Sequence, residues 1–231
     1  MAWRSIGDLG RADGLATRGA FHPTPADAVP AFADGAPIGT LVLLGFAGGV
    51  GWPVFAASAE AMDGAPHPLD RWSRRVVGAL ADVCGGVAHF PFGGPPWLPF
   101  QRWAQRAEPV FQSPLGLLIH PQWGLWHSYR GALALRERLE LAAVETSPHP
   151  CDACAARPCL SACPVGAFAA PENAGVIYDV ARCAGHVATP RGADCFAEGC
   201  KARRACPVGA GWAYGRAQTA FHMSGFMATR R

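Results

Sequence analysis

Eight of the nine cysteines in this 231-residue chain fall between Cys151 and Cys206, and only Cys84 lies outside. They form two arrays. The first is Cys151-x2-Cys154-x4-Cys159-x3-Cys163-Pro164, and the second is Cys183-x11-Cys195-x4-Cys200-x5-Cys206-Pro207. Thiolates at such spacing hold metal. Close spacing lets three of them reach one metal group from a single loop, whose backbone N–H groups then point at its sulfur atoms. A proline directly after the fourth cysteine removes a donor and fixes φ, turning the chain away. Three chemistries use sulfur in this way: two four-cysteine zinc sites, disulfides, or iron–sulfur clusters.

An internal repeat separates them. CPVGA occurs at Cys163 to Ala167 and again at Cys206 to Ala210. Each array therefore ends in the Cys-Pro of the bacterial ferredoxin pattern C-x2-C-x2-C-x3-C-P, whose fourth cysteine ligates the other cluster in two-cluster proteins. On that logic cluster one takes Cys151, Cys154, Cys159 and, crossing back, Cys206. Cluster two takes Cys183, Cys195, Cys200 and, crossing over, Cys163. Two [4Fe–4S] clusters then use all eight cysteines. Zinc leaves the repeat unexplained, and a reducing cytosol disfavours disulfides. The spacings exceed the ferredoxin ones at x4 before Cys159 and at x11, x4 and x5 in the second array.

The elements that must position these ligands divide by composition near the segment Thr146 to Pro150. Residues 1–147 carry one cysteine, seven of eight tryptophans and a formal charge of −1. Residues 148–231 carry eight cysteines and a charge of +4. Two domains are expected with that boundary. Half the chain is apolar and 16% is charged, which excludes a disordered chain. Gly and Pro number 28 and 21, so much of the fold is turn. A net charge of +3 gives no reason to expect nucleic acid or an anionic membrane as partner.

In the first part a helix is expected from just after Pro68 to about Val83, with Leu69, Trp72, Val76, Val77, Leu80 and Val83 on its apolar face. Cys84 is expected buried at its end. A second helix is expected near Phe100 to Ala107. Ile38 to Leu44, Leu115 to Ile119, Gly131 to Leu135 and Leu139 to Val144 read as strands. The uncharged stretch Ala36 to Ala59 is long enough to span a membrane, but five glycines and two prolines break it. The N-terminus lacks the apolar core of a signal peptide. The expected location is the cytoplasm. GFAGGVG lacks a dinucleotide-binding G-x-G-x-x-G.

The run GLLIHPQWGLWHSYRGALAL (Gly116 to Leu135) resembles the cobalamin-processing CblC (MMACHC) family in its strand, His-Pro, Gly-x-Trp and Arg-Gly elements. Weaker likeness extends over about residues 15–140. The whole layout is also similar to epoxyqueuosine reductase, which joins a cobalamin-binding domain to a two-cluster ferredoxin module. YDVARCAGHVAT (Tyr178 to Thr189) looks like the segment around that family's corresponding cysteine. The resemblance implies an α+β fold: a nitroreductase-like cobalamin-binding sandwich followed by a 2[4Fe-4S] ferredoxin-like domain. It further implies cobalamin contacts at His120, Gly124, Trp126 and Arg130, with Trp97, Trp103 and Trp123 as further candidates. Electrons would come from a flavodoxin or ferredoxin-reductase type protein, pass through the clusters and reach cobalt. The reductase's Asp-Thr-Ala-Pro run is missing before Leu115, where Glu108 is the only acid, and its C-terminal helical repeats are missing too. A dicluster electron carrier whose first domain docks a partner, and an FMN-dependent reductase on the same fold, remain open.

Overall fold

The structure is a computed structural model that describes residues 3–170 and 175–230. In chain order the elements are α1 (Trp3–Ala12), β1 (Ala16–Phe21), β2 (Thr40–Ala47), α2 (Trp52–Ala56), α3 (Ala59–Met62), α4 (Pro68–Cys84), β3 (Val87–His89), α5 (Phe100–Ala107), β4 (Phe111–Gln112), β5 (Leu118–Ile119) and β6 (His127–Leu135). There follow α6 (Pro158–Ser161), β7 (Phe168–Ala169), β8 (Ile177–Tyr178), α7 (Val180–Val187), α8 (Ala193–Glu198), α9 (Lys201–Arg204) and α10 (Arg216–Ala228). The described strands pair antiparallel, and helices and strands mix as the α+β class requires. No described helix is long and apolar enough to cross a membrane.

The chain divides into two compact units. Met1–Pro109 and His127–Thr146 form one; Val110–Trp126 and Ser147–Arg231 form the other. The break at Thr146/Ser147 lies one residue from the expected boundary. The segment Val110–Trp126, expected in the first domain, belongs instead to the cysteine-rich unit. Its apolar residues Leu115, Ile119 and Leu125 pack in a core with Cys159, Ala202 and Cys206.

The first unit is built on a four-stranded sheet of order β1-β2-β6-β3. In β2, residues Thr40 to Phe46 are all buried. Successive side chains of a strand point to opposite faces, so both faces of this central strand are covered. Helix α5 packs against β1 and β2, and α4 against β6 and β3. Helix α4 starts with Pro68 in its first turn and ends at Gly85, whose φ of 62° lets its N–H bond back to Ala81 O. It buries Leu69, Trp72, Val76, Val77 and Leu80, and the Trp72 ring meets Phe46 at 5.6 Å. Val83, expected on this face, is 61% exposed, and Cys84 is half-buried. Both lie at the end of the helix, past the last turn that the sheet covers.

Strand β6 begins at His127, four residues before the expected start. Leu139 to Val144 is not a strand. Leu139 alone is buried there, anchored by its N–H to Thr40 Oγ1 (2.9 Å) and by its carbonyl to His22 Nε2 (3.0 Å). Leu115 to Ile119 shrinks to the two-residue β5, because Ser113 to Leu117 closes a turn through the Leu117 carbonyl.

Candidate metal centres

The cysteine-rich unit is built largely of turns and mostly short helices, with Cys159, Cys183 and Cys195 in helices and the other five cysteines in turns or loops. Cys159 lies in α6, and Cys200 immediately precedes α9. These two helices pack against each other, and each leads into a CPVGA turn. Both turns use glycine at their fourth position with positive φ, 58° at Gly166 and 68° at Gly209. The sequence repeat is thus a repeat of backbone conformation, which glycine adopts without strain.

The thiols fall into two groups. Burial pushes the Cys151 thiol up to about 11, and the neighbouring thiols of Cys206, Cys159 and Cys154 push it in the same direction. Cys206 is raised by burial, and further by Cys159 and Cys154. In the other group, burial and then the nearby Cys183 and Cys163 raise Cys200. Cys195 is raised to about 11 by burial, then by Asp194, and Cys200 adds to it. Cys163, Cys183, Cys195 and Cys200 all line one cavity of about 750 Å³. Each CPVGA cysteine therefore neighbours cysteines of the other array. Among the described residues no three His, Cys, Asp or Glu side chains converge closely enough to hold a single metal ion.

Backbone N–H groups face several of these sulfurs. Ala167 N–H donates to Cys163 Sγ at 3.3 Å. Nearby backbone N–H groups also pull the thiols down against burial: Leu160 at Cys159, Ala202 and Arg203 at Cys200, and Val208 at Cys206. Such donors favour the thiolate that a metal requires.

The four residues expected to touch cobalamin are divided between the units. His120, Gly124 and Trp126 lie in the cysteine-rich one. His120 forms an isolated bridge with Gly124, its Nδ1 accepts the Gln122 N–H at 3.0 Å, and its ring stacks on Trp123 at 3.9 Å. Gly124 (φ 56°) lies against the second CPVGA turn. Trp126 is buried beside Tyr214 at 5.3 Å, with the Arg203 guanidinium over its ring. Arg130 lies in the other unit. It sits at a register shift where Leu44 pairs Gly131 and Gly45 pairs Tyr129, and it reaches Asp70 at 3.8 Å and the face of Phe92. Trp103 is fully buried and donates to Asp27 O at 2.8 Å, whereas Trp97 is 67% exposed.

Two features went unread in the sequence. Arg18, fully buried in the first unit, grips the Glu108 carboxylate twice (3.2 and 2.7 Å) and donates to Phe46 O at 2.8 Å. Tyr129 donates to the same carboxylate, whose pKa burial raises against the pull of Arg18. Nothing local in ATRGAF announces this, because the partner is 90 residues away. The second feature is His186, which lines the four-cysteine cavity. Its signal was its place one helical turn after Cys183.

Comparison with protein-family models and with curated proteins finds no match to this chain.

Proposed function

We propose that the cysteine-rich unit holds two [4Fe–4S] clusters and acts as an electron-transfer module. One observation carries the reading: Cys163 of the first array lines one cavity with Cys183, Cys195 and Cys200 of the second. The grouping of Cys206 with Cys151, Cys154 and Cys159 supports it from the other side. This is the exchange of fourth ligands that two-cluster ferredoxins use. The donor set fits the group. Four thiols, two of them (Cys163 and Cys200) with backbone N–H groups near the sulfur, surround a cavity instead of converging on a point. A zinc ion, with Zn–S bonds of about 2.3 Å, would draw them together. When bound, the clusters supply one-electron transfer. The chain's own part is to hold the thiolates, donate hydrogen bonds to them and wall them off with Leu115, Ile119 and Leu125.

The acceptor we propose is cobalamin, held by a nitroreductase-like first domain and reduced at cobalt by a cytoplasmic, Fe–S-dependent oxidoreductase. The likeness of Gly116 to Leu135 to the CblC family supports this. The electron donor would be a flavodoxin or ferredoxin-reductase type protein. A second reading, a ferredoxin-type carrier whose first unit docks a partner, gains from one observation. His120, Gly124 and Trp126 are engaged within the cysteine-rich unit itself.

Anaerobic purification, assay of iron and sulfide, and titration with cob(II)alamin and with FMN separate these readings. About eight irons per chain with a base-off cobalamin spectrum is the expected result. The same iron with no cobalamin response favours the carrier, an FMN response favours a flavin reductase, and zinc in place of iron overturns electron transfer.

A further inference from the structure

The two sites differ in what faces their sulfurs. Backbone N–H donors occur at both. The second site adds two side chains. Tyr178 lines the same cavity as Cys183, and after burial the Cys183 thiol is what most favours keeping its hydroxyl protonated. Tyr178 is held by the β7–β8 pair, where it lies opposite Phe168, and the two rings stack at 4.5 Å. His186 stands one turn after Cys183 on α7 and lines the same cavity, and its Nε2 is buried with no hydrogen-bond partner among the described residues. Its backbone is pinned, since Thr189 Oγ1 donates to His186 O at 2.8 Å and Gly192 packs against the same carbonyl.

A buried ring nitrogen normally has a partner. Beside the Gln112 amide and the Tyr178 hydroxyl, the side-chain acceptors that line this cavity with it are the sulfurs of Cys163, Cys183, Cys195 and Cys200. Of the nearby charges, Asp194, beside Cys195, is paired with Lys201, while Arg203 lines the cavity and lies over the Trp126 and Tyr214 rings. Arg230 also lines the cavity.

We propose that Tyr178 and His186 are positioning donors to the sulfurs of the second [4Fe–4S] cluster and raise its reduction potential above the value it has without them. The inference rests on the iron–sulfur reading above. An O–H or N–H aimed at a cluster sulfur places partial positive charge where negative charge grows on one-electron reduction, so the reduced state gains more than the oxidised one. One electron enters from a reduced one-electron carrier, dithionite in the test. Both protons stay on Tyr178 and His186, and no bond to iron forms or breaks.

The test is a potentiometric titration followed by EPR, on wild-type protein and on Tyr178→Phe, His186→Leu and His186→Gln, each first assayed for iron and sulfide. Tyr178→Phe and His186→Leu are expected to keep their iron and to shift one of the two signals to lower potential, leaving the other in place. The expected size is about a tenfold fall in the reduced-to-oxidised ratio at fixed poise, about 59 mV for one electron. His186→Gln, which keeps an N–H donor, is expected to recover part of the shift. Intact iron with both potentials unmoved overturns the inference. Strong ¹⁴N coupling in pulsed EPR that vanishes with iron in His186→Leu makes His186 a ligand and overturns its donor role. Absence of iron from the wild-type protein overturns the cluster reading itself, and the iron assay tells that failure from the others.

Discussion

Gly124 and Val208 approach so closely that a Cβ on the glycine would stand 1.9 Å from the Val208 carbonyl oxygen. The contact joins the HPQWG turn to the second CPVGA turn, and Gly209 repeats it from the other side, 2.3 Å from Trp123 C for a Cβ placed there. Gly124 also has φ of 56°, which side chains with a Cβ adopt at a cost. Gly124→Ala is expected to lose at least about 2 kcal/mol of stability in the cysteine-rich unit. Gly185→Ala, inside helix α7 with open space around it, is expected to gain up to about 1 kcal/mol. Urea titrations of the two variants check this, and equal stability would show that the two turns do not depend on this contact.

The crossed grouping predicts which cysteines share a phenotype. Cys206→Ser should remove the same EPR signal as Cys151→Ser, although the two residues are 55 positions apart. Cys163→Ser should remove the signal lost in Cys200→Ser. Each variant should fall from about eight irons to about four. Cys84→Ser should keep all of its iron, because Cys84 ends α4 in the other unit. Loss of a common signal from Cys206→Ser and Cys200→Ser would refute the exchange.

Arg18 and Glu108 form a buried ion pair within the first unit. Removing one partner leaves the other charge buried alone, which costs roughly 3–5 kcal/mol. Arg18→Ala should lower stability by about that much, read from the fluorescence of the buried Trp72 and Trp103 during denaturation. Replacing both, as Arg18→Met with Glu108→Leu, should recover most of the loss. A small effect of the single change would mean that water reaches the pair.

Glu60 gives a pH signature. Its hydrogen bonds from Arg75, one of them 2.9 Å, pull its carboxyl from 4.5 to about 2, tying α3 to α4. A carboxyl depressed on folding adds stability above its ordinary pKa and loses it as pH falls through the folded value. The contribution should therefore be complete above about pH 4.5 and disappear toward pH 2. It should stay below about 1 kcal/mol, since Arg75 is more than half exposed. Glu60→Gln should flatten acid denaturation in that window and leave stability below pH 2 unchanged. An unaltered acid profile would show that the pair contributes nothing.

The long periodic elements were legible. The helices at Pro68 and Phe100 begin and end close to where caps and spacing put them, because those signals lie within the element. The cysteine arrays and the CPVGA repeat were legible for the same reason. What failed was allocation over distance. Leu115, Ile119 and Leu125 look like core residues and are, yet apolarity does not say whose core they enter. Arg18 and Glu108 are each unremarkable in their own segments and become a buried pair only when β1 meets the end of α5. Tyr178 and His186 flank Cys183 in sequence, but their relation to sulfur appears only once α7 and β8 are placed.

The unit boundaries carry a consequence for inheritance. The chain leaves the first unit after Pro109, enters the second, returns at His127 to supply β6, and leaves again after Thr146. A single cut at 147 would strip the cysteine-rich part of Leu115, Ile119 and Leu125. A crossover at the place where composition changes would therefore divide the core of the cysteine-rich unit.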